Sequence, residues 1–414
     1  MIHNYLIKNK TLIVCLLISC IIFSLIIGLI FNEDLSTGGA RKDFFDTYLA
    51  VIDYAKFNFK FHEHTRHFPL HYLILSIPHY IFDNILVTRI AYIFFSFLAP
   101  IFLYLNLNIL YPDNKYKNLL ISFSILLLPY YRSSAIWANA HLTALIFLLI
   151  SNFFFLSFKK NNDSKFKYLN ILFLSFATYS MQSYVIFFIY YLYEYFKSFN
   201  LKIITKILFY CFVFSLPGIY LVYSTPLGGK LDFTNSFGYT ILTNSSIIFF
   251  FLLFFIINKS SGTLYLNMIK KVRLKEYLLI TIFYLLLIFN FETPLTIVGG
   301  GFFYKLSYFI FENKYLFYLI GYLSIMTIFL TFKIDKKIFY SLLIINSTAV
   351  GYITSQKYFE PLLIVILLSF KNILVSNLIS KKTNILIFYL IIFLYFLAAQ
   401  LNEYLGFSLN LKIV

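Results

Sequence analysis

The sequence predicts an all-α membrane protein, a single polytopic domain over residues 1–414 with about thirteen transmembrane helices. Hydrophobic residues make up 60% of the chain and charged residues only 12%, and the mean hydropathy is +0.81. Apolar runs of about 20 residues, the length that crosses a hydrocarbon core of ~30 Å, recur from end to end. A chain of this composition cannot bury its apolar surface in a water-soluble globule, so membrane lipids are its expected surroundings.

The formal net charge of +17 is explained by orientation in a membrane. Lys and Arg gather in the short turns between the apolar runs, and the cytoplasmic loops of membrane proteins collect these residues. The charge therefore gives no reason to expect nucleic acid as a partner. It predicts instead which turns face the cytoplasm.

The first apolar run, residues 11–31, is predicted to stay in the protein as a transmembrane helix. It is longer than the apolar core of a signal peptide, and no small-residue cleavage site follows it. With Lys8 and Lys10 in the cytoplasm, this helix carries residues 32–83 to the outer side of the plasma membrane, which in a bacterium is the inner membrane.

The next apolar piece, residues 68–82, is short for a transmembrane helix and contains Pro69 and Pro78. We therefore expect a helix at the outer interface, followed by a true span at 84–110. This choice puts every later basic turn in the cytoplasm and the C-terminus outside. The remaining expected spans are 118–131, 135–158, 168–181, 182–196, 207–223, 242–258, 276–291, 314–332, 338–353, 361–380 and 383–400.

The first outer loop is predicted at residues 32–83, and its segment 32–71 holds six of the 17 carboxylates and four of the seven histidines. Over residues 43–56 the pattern is helical: Asp43, Asp46 and Asp53 fall within about 80° of one another, and the other side is apolar. This predicts an amphipathic juxtamembrane helix whose acidic stripe faces water or a cavity. A stripe that serves only to solvate the helix is the alternative.

His62 and His64, with Glu63 between them, are the candidates for binding a divalent metal. Imidazole and carboxylate groups suit zinc or manganese. Their spacing matches no strong metal signature, and polar histidines at a membrane interface are the alternative. The sequence predicts no other cofactor.

The layout of the chain resembles the C-type (GT-C) superfamily of polytopic membrane glycosyltransferases, whose members use polyprenyl- or dolichyl-phosphate-linked sugars. The resemblance covers nearly the whole chain: one span, a large outer loop with an early acidic residue and juxtamembrane helices, then many short-looped spans. The motifs that carry it are Lys42-Asp43-Phe44-Phe45-Asp46, Arg66-His67-Phe68-Pro69-Leu70-His71-Tyr72 at the entry into hydrophobic helix, and Gln356-Lys357-Tyr358-Phe359-Glu360-Pro361 in a late outer turn.

This resemblance implies an inverting glycosyltransferase whose catalytic base is Asp43, or Asp46 one helical turn later. Asp34, in the acidic pair Glu33-Asp34 at the end of the first span, is a further candidate. A phosphate leaves without protonation, so one carboxylate acting as a base suffices. The expected acceptor is a lipid-linked or cell-surface glycan.

The departing phosphate of the donor needs positive charge and hydrogen-bond donors. Arg66, His67, Arg132, Lys357 and Tyr358 are the predicted donor-phosphate-binding residues. Guanidinium groups can hold phosphate oxygens in a bidentate way, whereas Lys acts as a point charge. For any one of the cations, an interfacial charge that reaches toward lipid headgroups is the alternative.

A non-catalytic lipid-linked-glycan transporter, or a surface-polysaccharide polymerase, is the alternative function. A transporter is expected to carry charged residues in the middle of several spans, whereas Arg89 and Glu194 lie near span ends. A polymerase is expected to have its largest outer loops in the second half of the chain, and here the largest is the first. Both observations favour the glycosyltransferase.

Overall fold

A computed structural model describes residues 10–36, 38–58, 67–161, 163–224, 236–292, 301–348 and 356–404, and within these ranges all regular secondary structure is helical. In chain order the α-helices are α1 Lys10–Ile30, α2 Gly39–Ala55, α3 Leu70–Phe82, α4 Ile85–Ser96, α5 Leu98–Leu110, α6 Lys115–Phe123, α7 Pro129–Ile136, α8 Ala140–Asn161, α9 Ser164–Ser180, α10 Phe187–Ser198, α11 Leu201–Ser224, α12 Phe237–Ile256, α13 Lys259–Ile269, α14 Leu274–Phe289, α15 Gly301–Phe311, α16 Tyr315–Ile334, α17 Lys336–Thr348, α18 Gln356–Ser369, α19 Ile373–Ser380 and α20 Lys382–Tyr404.

The chain forms two compact units. The first comprises residues 1–229 and 398–403, and the second comprises residues 230–397 and 404–414. In the first unit α8 is the central helix, buried along most of its length and packed against α5 and α9. In the second unit α12 takes the central place and packs against α14, α15, α16 and α18.

Six helical segments among the described residues are long and apolar enough to cross a membrane, and the number rises to eight if each of two bent helix pairs is one span. The six are Ile85–Leu110, Ala140–Asn161, Leu201–Leu221, Phe237–Ile256, Tyr315–Ile334 and Lys382–Tyr404. The pairs are Pro112–Leu127 with Pro129–Ile136, bent by 69°, and Phe359–Ser369 with Ile373–Ser380, bent by 81°. These helices indicate a multi-pass membrane protein, but the prediction of about thirteen spans is wrong.

Several predicted spans are apolar segments that fold as short or broken helices in the structure. α9 has 17 residues, α10 has 12, α14 has 16 and α17 has 13, whereas a span needs about 20. In the segment predicted at 118–131 the helix gives way to a 3₁₀ turn before Pro129, because the proline ring cannot continue the preceding helix. Hydropathy does not detect such breaks, since the broken segment stays apolar.

The helix predicted in the first outer loop is present as α2, and it packs along the 13-residue α3. Its apolar residues divide between two sides: Phe44, Tyr48 and Val51 are buried, whereas Phe45 and Leu49 are exposed. The buried side of α2 therefore packs against the rest of the protein. On its other side, Phe45 and Leu49 form an exposed apolar strip.

Candidate functional site

The end of α1 fixes the position of Glu33 through a Schellman motif. The Glu33 N–H donates to the Gly28 carbonyl oxygen (2.8 Å), and the Asn32 N–H donates to the Leu29 carbonyl oxygen (3.1 Å). Asn32 has a φ of 53°, in the left-handed region that asparagine adopts more readily than most residues. The turn folds Glu33 back beside the last turn of the helix.

Glu33 and Arg132 form a buried, bidentate ion pair. Arg132 Nε donates to Glu33 Oε1 (2.7 Å) and Nη2 donates to Oε2 (3.0 Å), with the side chains 1% and 8% exposed respectively. The other Arg132 bonds go to the hydroxyl and carbonyl of Ser24 and to the Leu126 carbonyl, and Gln400 Nε2 donates to Glu33 Oε2 (2.8 Å). A guanidinium has five N–H groups, and all five have acceptors here. Arg132 is thus arranged as a structural residue and has no donor left for the predicted phosphate contact.

Trp137, the only tryptophan in the chain, lies between this ion pair and two further arginines. Its indole Nε1–H donates to the Glu33 carbonyl oxygen (2.9 Å). The guanidinium carbon of Arg89 lies 3.8 Å from the Trp137 ring centroid, and that of Arg41 lies 5.4 Å from it. Arg41, Arg89 and Trp137 are called the Trp137 cluster below.

Asp34, one of the predicted catalytic residues, anchors the start of α2. Its Oδ2 accepts from the backbone N–H of Arg41 (2.8 Å), and its Oδ1 accepts from both the N–H (3.0 Å) and the hydroxyl of Ser36. Ser36 Oγ in turn accepts from the Ala40 N–H (2.7 Å), and the Asp34 N–H donates to Glu403 Oε1 (2.8 Å). A carboxylate at a helix N-terminus satisfies free N–H groups and complements the helix dipole. Asp34 is buried, and its carboxylate holds α2 in place.

The other predicted catalytic residues, Asp43 and Asp46, lie on α2 outside the candidate spans. Asp46 is exposed, and Asp43 and Asp53 are half-buried. Because each helical residue turns about 100°, Asp43 lies about 200° around α2 from Arg41. The aspartates and the Trp137 cluster therefore occupy different sides of this helix.

His71, in the entry motif at the start of α3, belongs to a buried hydrogen-bond network. Its Nδ1 lies 2.8 Å from the Thr143 hydroxyl oxygen, and the Tyr92 hydroxyl lies 2.7 Å from the same oxygen. Burial lowers the pKa of His71 to about 3; the neighbouring His67 lowers it further, and a hydrogen bond to the Ala138 carbonyl opposes the shift. His71 is therefore neutral at physiological pH and joins α3 to α4 and α8.

The remaining described histidines of this region are His67, His79 and His141, and each lies beside another polar side chain. The His67 ring lies 5.4 Å from the His141 ring. His79 Nδ1 lies 3.0 Å from the Tyr48 hydroxyl, and its Nε2 lies 3.3 Å from Asp83 Oδ1. Among the residues that the structure describes, no group of three or more His, Cys, Asp or Glu side chains is arranged to hold a metal ion.

Part of the predicted phosphate and metal sites lies outside the described residues. His62, His64 and Arg66 fall in the segment 59–66, which is not described. Lys357 and Tyr358 belong to α18 of the second unit, but their side chains are not described. The roles of these five residues stay predictions.

Arg41, Arg89 and Gln400 are not among the site residues that the sequence predicts. The bonds of Glu33 to Arg132 and to Gln400 join residues 99 and 367 positions apart, and no local pattern relates them. The position of Arg89 and Arg132 within apolar runs is one signal in the sequence, because a charged side chain there is costly unless it has a partner. This signal does not identify the partner residues.

Comparison with protein-family models, with curated proteins and with solved structures finds no match to this chain.

Proposed function

We propose that this protein is a membrane glycosyltransferase that transfers a sugar from a polyprenyl-phosphate donor to a lipid-linked or cell-surface glycan at the outer face of the plasma membrane. The observation that carries the proposal is the setting of Asp43 and Asp46. Asp46 is exposed and Asp43 is half-buried. Both lie on α2, whose start is fixed by hydrogen bonds to Asp34 and which packs along α3. A base for an acceptor hydroxyl has to be reachable and also held in a defined position.

Asp43 is the proposed base, with Asp46 as the second candidate. The carboxylate takes the proton of the acceptor hydroxyl while the hydroxyl oxygen bonds to the anomeric carbon and the bond from that carbon to the phosphate oxygen breaks. The lipid phosphate leaves as an anion, so no acid is needed. A single displacement inverts the anomeric carbon. Asp34 is left out of this role because its carboxylate already accepts three hydrogen bonds.

The proposal puts the N-terminus in the cytoplasm and the first loop outside. Gln400 and Glu403, near the end of α20, bond to Glu33 and to the Asp34 backbone respectively. These bonds support a C-terminal end of α20 on the same side of the membrane as the first loop. The C-terminus is therefore also proposed to lie outside, although the count of thirteen spans no longer supports it.

The test is the transfer of label from a panel of radiolabelled polyprenyl-phosphate sugars into membrane glycans. Purified wild type is compared with Asp43→Asn, Asp46→Asn and, as a matched control on the same helix, Asp53→Asn. We expect transfer by wild type and by Asp53→Asn, and a loss of about a hundredfold or more in Asp43→Asn. Thermal unfolding establishes that each variant is folded.

Full activity in both Asp43→Asn and Asp46→Asn would remove the two aspartates from the mechanism. Failure of folded wild-type protein to transfer any of the sugars would contradict the proposal as a whole.

A lipid-linked-glycan transporter is the second candidate, and Glu360 in the second unit favours it. Its side chain is fully buried near the start of α18, and its Oε2 accepts a hydrogen bond from the Tyr395 hydroxyl. Ionisable groups buried among membrane helices often line proton or ion paths. Movement of a labelled lipid-linked glycan across proteoliposomes by wild type, lost in Glu360→Gln, would replace the glycosyltransferase proposal.

A further inference from the structure

Arg89 is a buried cation with an unused hydrogen-bond donor. Its Nε donates to the Ile136 carbonyl (2.9 Å) and its Nη1 to Asn32 Oδ1 (2.8 Å), but its Nη2 has no hydrogen-bond partner among the described residues. The residue is 5% exposed. An unpaired donor on a buried charge is costly, so this nitrogen is a place where a ligand acceptor would stabilise the protein.

Arg41 supplies a second positive charge beside the same ring. Its side chain is exposed, and its guanidinium carbon and that of Arg89 both lie within 5.4 Å of the Trp137 ring centroid. Within the described residues neither arginine forms a salt bridge. The carboxylates of Glu33 and Asp34 are engaged elsewhere, since Glu33 binds Arg132 and Asp34 binds the start of α2. Two like charges on one ring repel each other unless an anion joins them.

An exposed apolar strip lies next to these charges. Phe45 and Leu49 follow Arg41 by one and two helical turns, so they lie on the same side of α2, and they are 47% and 57% exposed. A cation at headgroup depth beside apolar side chains is the arrangement that suits a lipid with an anionic headgroup.

We propose that the Trp137 cluster is a binding site for a phosphate group, that of an anionic lipid headgroup, with the acyl chains along Phe45 and Leu49. One phosphate oxygen accepts from Arg89 Nη2, and the other oxygens face the guanidinium of Arg41, since guanidinium groups suit phosphate geometry. Solvent does not reach Nη2 in this structure. Entry of the phosphate therefore requires the side chains that cover Nη2 to move.

This site is separate from the proposed transfer reaction. Asp43 lies on the other side of α2 from Arg41, so a phosphate held by the Trp137 cluster does not contact the proposed base. The binding of this phosphate and the transfer of a sugar are therefore tested independently.

The single tryptophan makes the site observable in the full chain. Trp137 fluorescence, excited at the red edge where the 36 tyrosines do not absorb, is recorded for purified protein in neutral detergent. The probes are a short-chain phosphatidic acid, the matching neutral diacylglycerol, and inorganic phosphate at equal ionic strength. We expect a saturable change with phosphatidic acid only.

The variants are Arg41→Gln, Arg89→Lys and the control Lys42→Gln, which removes one exposed positive charge next to Arg41. We expect the midpoint to rise about tenfold or more in Arg41→Gln and Arg89→Lys and to stay unchanged in Lys42→Gln. Arg89→Lys keeps the charge but loses the planar fork. Arg41→Gln changes an exposed side chain, so the test does not depend on a variant with a disturbed core.

The absence of a saturable change in wild type, or an unchanged midpoint in Arg41→Gln, would overturn the site. Equal binding of inorganic phosphate would overturn the assignment to a lipid headgroup. Asp43→Asn is expected to bind phosphatidic acid normally, so a failed transfer assay and a failed binding assay are distinguished.

Discussion

The Glu33–Arg132 pair illustrates at the scale of single residues how an apolar protein holds a charge. Burial of either ion alone costs several kcal/mol. Here both carboxylate oxygens and all five guanidinium N–H groups are bonded, and Ser24, Leu126 and Gln400 supply the contacts outside the pair itself. The pair joins the end of α1 to α7. The stability of the protein therefore depends on both members of the pair being present.

Arg132→Met is expected to lower the free energy of unfolding by about 3–5 kcal/mol, because it leaves the Glu33 carboxylate buried without its partner. Unfolding of the purified protein in detergent measures the change. Arg273→Met is the matched control. Arg273 pairs with Glu276 at the surface, and Glu276 keeps its bond to Lys333, so no measurable change is expected.

The double variant Glu33→Gln with Arg132→Met is expected to recover part of the lost stability, since it no longer buries a lone charge. A loss in Arg132→Met no larger than that in Arg273→Met would contradict the structural role of Arg132.

His71 is expected to make the protein less stable in mild acid. Its pKa is 6.5 in the unfolded chain and is lowered to about 3 by burial in the folded protein, so between these values only the unfolded chain binds the proton. The free energy of unfolding then falls as the pH falls, by at most about 1.4 kcal/mol per pH unit. His71→Gln removes the titrating group and is expected to flatten this dependence from neutral pH to about pH 5. Equal slopes for wild type and His71→Gln would refute the assignment.

At the scale of helices, the close approach of α1 to α7 depends on the absence of a side chain at Gly28. A Cβ at this position would lie 2.9 Å from Glu33 Oε2, 3.0 Å from Arg132 Nη2 and 3.0 Å from Ile136 Cδ1. These contacts are too tight for the neighbours to stay in place. The glycine thus makes room for the ion pair in the last turns of α1.

Gly28→Ala is accordingly expected to destabilise the protein, although alanine normally stabilises a helix by about 1 kcal/mol relative to glycine. The control is Gly262→Ala in α13, where the nearest atom to an added Cβ is the Ile256 carbonyl oxygen at 3.4 Å, an ordinary contact. That variant is expected to gain up to about 1 kcal/mol. Unfolding midpoints of the two variants decide the matter: a rise in both would mean that Gly28 is not needed for packing.

At the scale of the whole molecule, the sequence predicts what depends on local pattern. The class of protein, the helix around Asp43 and the spans α8 and α20 follow from uninterrupted periodicity or hydropathy. The number of spans does not, because the break before Pro129 and the short α9 and α10 interrupt the helices without making them less apolar. The contacts of Glu33 join distant parts of the chain, so only the fold reveals them.

The length of α8 in the first unit indicates which loops lie on opposite sides of the membrane. α8 begins shortly after Trp137, which is bonded to Glu33, and has Lys159 and Lys160 in its last turn. Its 22 residues rise about 33 Å, enough to cross the hydrocarbon core. The first loop and the basic segment that follows α8 are therefore expected on opposite sides, with the basic segment in the cytoplasm.

Labelling of introduced cysteines tests this topology. In a variant without Cys15, Cys20 and Cys211, Asp46→Cys and Lys165→Cys each place one thiol at an exposed position. A membrane-impermeant maleimide added to intact cells is expected to label Asp46→Cys, and to label Lys165→Cys only after the membrane is permeabilised. The reverse pattern would place the first loop in the cytoplasm, where a donor presented on the outer leaflet is out of reach of Asp43. Labelling of both positions in intact cells would mean that α8 does not cross the membrane.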